Sequence, residues 1–350
     1  MKSNYKALSE LIEKVDERNA DGAITELIGV SIDKCFIKSV ANTNGTDLSK
    51  YKIIRKNEFA VSLMQVSRDS KIPVARLEDY EVAIMSPAYP IFRVKDTRKI
   101  LPEYLDMWFK RPEFDREAAF IAVGGVRGSM PWEEFVKMEL PVPTIEKQID
   151  IVNSYKAITE RIALKQKIND NLESMLTAVY FEQFYSSKAS EYTKLSDLMV
   201  FGNGKSRPKT NGTIPVYGGN GVLSYTDKYN AENTVLIGRV GAYCGSVYLE
   251  QSICWVSDNA IFAKSKITND EFFDYFLLKG LNLFNHHVGT GQQLLTQDIL
   301  NNIEVQKPDI EQIGLFNMKA KSVFETISAN KCEIIRLQKL SDLLLARLAI

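Results

Sequence analysis

Few residues in this chain have the types and spacing that could do chemistry, and each such group has a simpler use. Ser86-Pro-Ala-Tyr89 resembles a motif that holds a base amine for methyl transfer, in which a proline fixes two carbonyls and an aromatic ring stacks on the base. Its third position is alanine, and no glycine-rich strand-to-helix turn for a methyl donor precedes it, so it reads as a loop. Pro308-Asp-Ile-Glu suggests the opening of a nuclease metal site, but no basic residue follows at the needed spacing and the segment caps a helix. His286 and His287 are the only histidines, and no Cys, Asp or Glu cluster completes a ligand set around them. Gly238-Arg-Val-Gly241-Ala-Tyr-Cys-Gly245 has glycines like those of a dinucleotide loop, yet it leads into a strand-like run, Ser246–Leu249, where a phosphate needs a helix N-terminus. No GxxxxGK[ST] loop is present. These residues point to a recognition module or scaffold, with no catalytic group and no metal site of its own.

Composition narrows the classes further. A length of 350 residues allows two or three domains, and 45% hydrophobic content is that of a globular chain. No run of about 18 apolar residues predicts a membrane span, and Met1-Lys-Ser-Asn-Tyr-Lys does not read as a signal peptide. Cys35, Cys244, Cys254 and Cys332 show no CxxC spacing, so free thiols in a cytoplasmic protein are expected. There are 44 basic and 44 acidic side chains. Residues 1–140 carry 22 of each, 192–300 carry 9 of each, 141–191 carry 6 basic and 7 acidic, and 301–350 carry 7 and 6. No segment is a basic arm, so general phosphate attraction is weak throughout.

The elements that position these residues occur twice. Tyr5-Lys-Ala-Leu-Ser-Glu-Leu-Ile is echoed by Tyr192-Thr-Lys-Leu-Ser-Asp-Leu-Met, and Leu140-Pro-Val-Pro-Thr-Ile-Glu by Gln306-Lys-Pro-Asp-Ile-Glu. The offset is 187 residues at the first pair and 165 at the second, so the second half repeats the first with about 22 residues fewer in its middle. Each half opens with a mixed segment. Gly29–Ser39, Glu58–Leu63 and Val82–Val94 read as strands in the first, and Ile214–Tyr217, Thr234–Ile237, Ser246–Leu249 and Asn259–Ala263 in the second. Glu103–Lys110 and Asp270–Leu278 are aromatic helix candidates.

Each half closes with a long helical pattern. Apolar residues fall at Ile151, Tyr155, Ile158, Ile162, Ile168, Leu172, Met175 and Val179, and again at Phe316, Val323, Ile327, Ile334, Leu337, Leu340, Leu344 and Leu348. Steps of three and four over about five heptads predict a coiled-coil seam, including Ile158, Ile162, Leu172, Met175, Val323, Ile327, Leu337 and Leu344. Lys165 and Asn330 interrupt the two stripes. If the helices pair antiparallel about a pseudo-two-fold axis, these two should meet and set the register. The expected fold is thus a pair of mixed α/β domains in tandem, each followed by a long helix: domain 1 at 1–142, helix 1 at 143–186, domain 2 at 187–306 and helix 2 at 307–350.

On these residues the chain resembles the DNA-specificity subunit of type I restriction-modification systems. The resemblance rests on the two Leu-Ser-Glu/Asp-Leu openings and on the closing stretches Phe135-Val-Lys-Met-Glu-Leu-Pro-Val-Pro-Thr-Ile-Glu-Lys-Gln and Ile299-Leu-Asn-Asn-Ile-Glu-Val-Gln-Lys-Pro-Asp-Ile-Glu-Gln. Gly124-Gly-Val-Arg127-Gly-Ser and Gly289-Thr-Gly291-Gln-Gln stand where that family has a glycine-rich turn. Val305-Gln-Lys-Pro308 departs from it by lacking the first proline of the step at Pro141 and Pro143. The resemblance covers essentially the whole chain. It implies two target-recognition domains, each reading half of a split double-stranded DNA site, and an antiparallel coiled coil that sets the spacer and docks two adenine methyltransferase subunits. Motor-nuclease subunits would complete the assembly, with S-adenosylmethionine, ATP and magnesium belonging to the partners.

Loop residues in polar, glycine-rich surroundings are then the candidate base readers, since Arg and Lys suit guanine and Asn and Gln suit adenine in the major groove. In the first half these are Lys38, Asn42, Asn44, Gln65, Arg68, Lys71 and Arg127. In the second they are Lys205, Arg207, Lys209, Tyr217, Asn220, Arg239, Tyr243, Gln292 and Gln293. Each is equally at home as a solvated loop residue. A coiled-coil scaffold whose mixed domains bind protein or sugar is the competing expectation; a self-sufficient methyltransferase is a third, opposed by the absent donor loop.

Overall fold

The computed structural model describes residues 4–39, 47–64, 66–124, 128–185, 191–289 and 291–348. Two compact units emerge, Met1–Leu164 with Glu333–Ile350, and Lys165–Cys332. The boundary runs through both long helices, because each helix gives one half of its length to each unit's core.

The two units share a frame. In the first, strand Tyr5–Ala7, a helical turn Leu8–Leu11 and strand Ile12–Val15 follow without a break. Tyr5 pairs with Pro141 and Ala7 with Glu139, antiparallel, so the opening strand is zipped to the strand that precedes the long helix. The second unit repeats this with Tyr192–Lys194, Leu195–Leu198 and Met199–Asn203, Tyr192 facing Gln306 and Lys194 facing Glu304. The helical turns are tethered alike, Leu8 N to Met138 O at 2.9 Å and Leu195 N to Ile303 O at 3.0 Å. The apolar Leu-x-x-Leu pairs explain the turn: Leu8 and Leu11, and Leu195 and Leu198, are all buried.

Between frame strands the units differ. The first holds a four-stranded antiparallel sheet in the order Ile12–Val15, Ile91–Val94, Phe59–Val61, Val74–Arg76, with a separate hairpin, Ile28–Val30 and Phe36–Lys38, and a further pair, Lys52–Arg55 with Val82–Met85. The run Val82–Val94 is therefore two strands split at Ser86–Tyr89, whose turn is closed by Tyr89 N to Ser86 O at 3.2 Å. The second unit holds a six-stranded sheet in the order Met199–Asn203, Ala260–Ser265, Ala231–Gly238, Val247–Val256, Ile214–Gly218, Gly221–Thr226. All its pairings are antiparallel except Val216 with Trp255 and Tyr217 with Val256.

Aromatic helices close both cores. Pro102–Phe109 presents Phe109 edge-on to Phe59 and Phe92, which stack 5.2 Å apart. Phe272–Gly280 packs Phe273 and Phe276 against Tyr180 and Phe316 of the long helices. A buried amide on each long helix anchors these short helices. Gln148 accepts from Leu101 N and donates to Lys99 O and Pro143 O, all at 2.9 Å. Asn317 accepts from Phe273 N at 2.8 Å and donates to Thr268 and Asp270. A buried amide with its partners in place fixes the helix more firmly than apolar packing alone.

The long helices span Ile145–Tyr185 and Ile310–Arg347 and run antiparallel within each unit. In the first, Arg161 pairs with Glu333 at 2.7 Å, while Ile151, Val152 and Tyr155 meet Leu344, Leu345 and Leu348 in one cluster. In the second, Lys165 Nζ donates to Asn330 at 2.8 Å, Asn330 in turn to Asn169 at 2.8 Å, and Gln183 reaches Gln312 O at 3.0 Å. The register pair thus meets, with Asn169 as a third member. Ile158, Ile162, Leu172, Val323, Leu337 and Leu344 are half-buried, and Ile327 is 4% exposed. Met175 does not belong to the seam: it is 48% exposed, and Leu176, at 2%, takes the inward place. Ile168 and Leu340 also face outward. Inward positions 158, 169 and 180 recur every eleven residues, the period of a nearly straight helix, so a strict heptad slips one residue outward beyond Lys165.

Candidate nucleic-acid interface

In the second unit, loops from distant parts of the sequence converge on the turn at 257–259. Gly204 approaches it so closely that an added Cβ would lie 1.9 Å from Ser257 O, which only glycine permits. The next residue, Lys205, donates its N–H to Val256 O at 3.0 Å and leaves its side chain in solvent. From the other side, Arg239 N donates to Asn259 O at 3.0 Å and Ser257 N to Tyr217 O at 2.9 Å. A Cβ on Gly219 would sit 3.6 to 3.8 Å from Val240 O, Asn259 O and Tyr243 Cβ. Gly241 N donates to Gln293 O at 3.0 Å, and Leu295 N to Arg239 O at 2.9 Å. Lys205, Asn220, Arg239, Tyr243, Gln292 and Gln293 are thereby carried on one cluster of loops.

Arg239 has the most informative environment in this cluster. Its Nε is buried and has no hydrogen-bond partner, whereas buried donors are ordinarily satisfied. The residue as a whole is half-buried, so its terminal nitrogens, and not the covered Nε, are the donors that an incoming guanine edge or phosphate would meet. Arg207 and Lys209 lie on a separate strap and line a groove of about 350 Å³ with Asn211, Ser224 and Tyr225. Tyr225 is 56% exposed.

Tyr217 is not an available reader. It is 9% exposed and its hydroxyl donates to Glu250 at 2.9 Å, while burial first and the Glu250 charge second push its pKa well above the ordinary tyrosine value. Its place in an inner strand of the sheet, beside polar glycine loops, explains the difference: the loop begins only at Gly218. Asn259, exposed in the loop cluster, and Tyr225, exposed in the groove of Arg207 and Lys209, are groups that the sequence expectation omits.

In the first unit, Lys38 is exposed beside Glu26, 3.5 Å away, and Lys71 lies 3.8 Å from Asp33. Arg68 is held by Asp69 through two hydrogen bonds at 2.7 and 2.9 Å, so an acceptor on DNA must compete with a bidentate carboxylate. Beneath them Lys34 is buried, ion-paired with Asp115 at 2.8 Å and bonded to Phe109 O. Burial lowers its pKa against the opposing pull of Asp115. It pins the hairpin turn to the helix Pro112–Ile121, a role no spacing in the sequence signals. Asn42, Asn44, Gln65 and Arg127 lie outside the described residues. His287 Nδ1 meets Phe284 O at 2.5 Å, and among the described residues no group of three or more metal-ligating side chains assembles. Among those residues no helix is long and apolar enough to cross a membrane.

Residues 188–341 match the family model for the type I restriction modification DNA specificity domain. No curated protein matches the sequence. Among solved structures, the chain is similar to the type I restriction-modification system S subunit from M. genitalium, with 16% identity and a TM-score of 0.62 over 99% of this chain and 96% of that one. A structure described for complex assembly and conformational transition of the type I R-M system aligns over 98% and 96% at 16% identity and a TM-score of 0.49. The HsdS subunit from Thermoanaerobacter tengcongensis aligns over 99% and 96% at 16% identity and a TM-score of 0.38.

Proposed function

We propose that the chain is a type I restriction-modification DNA specificity subunit, on the match of residues 188–341 to that family's domain, and that each of its two mixed domains reads one half of a bipartite duplex target. It acts without catalysis of its own. The paired long helices set the unread spacer and dock two adenine methyltransferase subunits, and motor-nuclease subunits complete the restriction assembly. S-adenosylmethionine, ATP and magnesium serve those partners, and the complex works in the cytoplasm.

The observation that carries this reading is a constant frame around unlike inserts. Opening strand, helical turn and closing strand pair in the same way in both units, whereas the sheets between them have four and six strands in their largest members. A frame held fixed by backbone pairing lets the inserted loops vary freely, which is what reading two different half-sites requires. The loop cluster at 257–259 would supply the side-chain chemistry: cationic donors, amides and the half-buried Arg239. Phosphate contacts position such a surface and base edges specify it.

Co-expression with the cognate methyltransferase, followed by sequencing of methylated adenines, tests the proposal. A motif of two short defined blocks separated by a fixed unread spacer is expected. Methylation without sequence preference, or a failure of the wild-type complex to select any duplex from a random pool, sinks it in favour of a protein-binding scaffold.

A further inference from the structure

Both units expose a phenylalanine and a valine just ahead of the glycine-rich turn. Phe120 is 81% and Val123 73% exposed in the first; Phe284 is 42% and Val288 50% exposed in the second. The valines are 165 positions apart, the offset that relates the two closing segments, and the phenylalanines precede them by three and four residues. One exposed apolar side chain is ordinary on any protein surface. Recurrence at matching places, in domains whose middles are otherwise unlike, marks a shared use.

The surroundings of each prong are polar. In the first unit, the turn Ala122–Gly124 touches the helical turn Val66–Asp69, which carries Arg68. Gly128 is so close to that turn that an added Cβ would lie 2.3 Å from Ser67 Oγ and 3.5 Å from Arg68 N. In the second, the backbone of Phe284 presses on Gly245, where a Cβ would meet Phe284 N at 2.5 Å. Gly245 closes the turn that bears Tyr243, itself 51% exposed. The Phe284 ring packs on His287 with centroids 4.8 Å apart, and Val288 pairs with Leu294 beside Gln292 and Gln293.

We propose that Phe120 and Phe284 are DNA wedges, one per domain, each inserting its ring at a base step that flanks the half-site its domain reads. The inference rests on the DNA-reading function above and deepens it. A phenyl ring reads no hydrogen-bond pattern, but it stacks on an unstacked base, and apolar wedges of this kind kink a duplex by roughly 20–90°. Arg68 in one unit, and Arg239 with Gln293 in the other, hold backbone or base edges while the ring enters. The wedges are positioning residues. They favour flanking steps that unstack easily, such as TA and CA, without contacting a defined base edge. A protein partner is the less fitting occupant, because the Phe284 ring lies against His287 and the turn that follows Phe120 touches the turn carrying Arg68, polar surroundings and not a broad apolar field.

The experiment uses the complex reconstituted with its methyltransferase subunits and a cognate duplex carrying 2-aminopurine at successive steps inside and beside each half-site. Wild type should raise fluorescence at one flanking step per half-site. Phe120→Ala should abolish the signal at the first half-site alone and Phe284→Ala at the second alone, each weakening binding roughly ten-fold and relaxing the preference at the flanking step, while the directly read blocks of the methylated motif stay as they were. Phe284→Trp should retain the signal. Unchanged fluorescence and affinity in both alanine variants overturns the wedge. Loss of methyltransferase co-purification in the absence of DNA also overturns it, assigning the prongs to a protein interface. Absence of selective binding by the wild-type complex removes the underlying reading, and the wedge with it, before any variant is compared.

Discussion

At the scale of single residues, Arg239 and Asp274 show how an unpartnered buried group acquires meaning from its place. Arg239 sits half-buried in the loop cluster, its covered Nε without a partner, and the proposed function gives its guanidinium an acceptor on DNA. Arg239→Lys keeps the charge but loses the fork geometry that reads two acceptors at once. In competition binding of the assembled complex, it should relax selectivity at one position of the second half-site, by about 1–3 kcal/mol of discrimination, and leave the first untouched. Equal selectivity at every position would remove Arg239 from the reading surface. Asp274 lies instead inside the core, 1% exposed, with neither carboxyl oxygen accepting a hydrogen bond. Burial first, and the neighbouring Glu271 charge second, raise its pKa well above the usual carboxylate value, and Lys264 spends its charge on Glu271 at 3.0 Å. The matching Asp106 of the first unit pairs with Lys110 at 2.6 Å. A carboxyl whose folded pKa is raised contributes stability that is fully present below its unfolded value near 3.8 and is lost as pH rises towards the folded pKa. Asp274→Asn should therefore raise the melting temperature at pH 8 and change it little at pH 4. A gain of equal size at both values would show that ionisation is not the cause.

At the scale of elements, the same residues separate what the sequence makes legible from what it hides. The duplicated opening and closing segments, the two aromatic helices and the long helices are legible through an internal echo, a proline step and a three-and-four apolar rhythm, whereas the pairing of opening strand with closing strand is not, because it joins segments more than 100 residues apart. Strand Gly221–Thr226 is hidden because Val222, Leu223 and Tyr225 are exposed and show no alternation between a buried and a solvated face. Asn259 escapes notice for a different reason: nothing local marks a residue whose value comes from loops tens of positions apart in the sequence folding around it. Met175 misleads because an apolar residue one place beside the seam looks like a member of it. Its exposure is itself a clue. Ile168 and Met175, seven residues apart, form an outward stripe on the first long helix, 38% and 48% exposed, which the docking of methyltransferase subunits would cover. Replacing both by aspartate should leave the unfolding free energy of the isolated chain within about 0.5 kcal/mol of wild type and prevent the methyltransferase from co-purifying. Retained co-purification would place the docking surface elsewhere.

At the scale of the whole molecule, charge and duplication act together. With 44 basic and 44 acidic side chains spread evenly, the isolated chain has little field with which to gather phosphates, so the proposed function requires selectivity from local loop chemistry and grip from partner subunits. Such a division makes the two recognition units separable in effect. Each insert is anchored by its own frame strands, Tyr5–Ala7 with Glu139–Pro141 and Tyr192–Lys194 with Glu304–Gln306, and neither frame depends on which loops it carries. Exchanging residues 192–306 for the same segment of another specificity chain should then change one block of the methylated motif. The other block and the spacer should stay as they were, because the helices Ile145–Tyr185 and Ile310–Arg347 keep their length. Sequencing methylated adenines from cells expressing the exchanged chain reads all three quantities at once. If both blocks change together, the units do not read independently and the duplicated frame is only structural. If the spacer changes while the helices are intact, the helices are not the ruler.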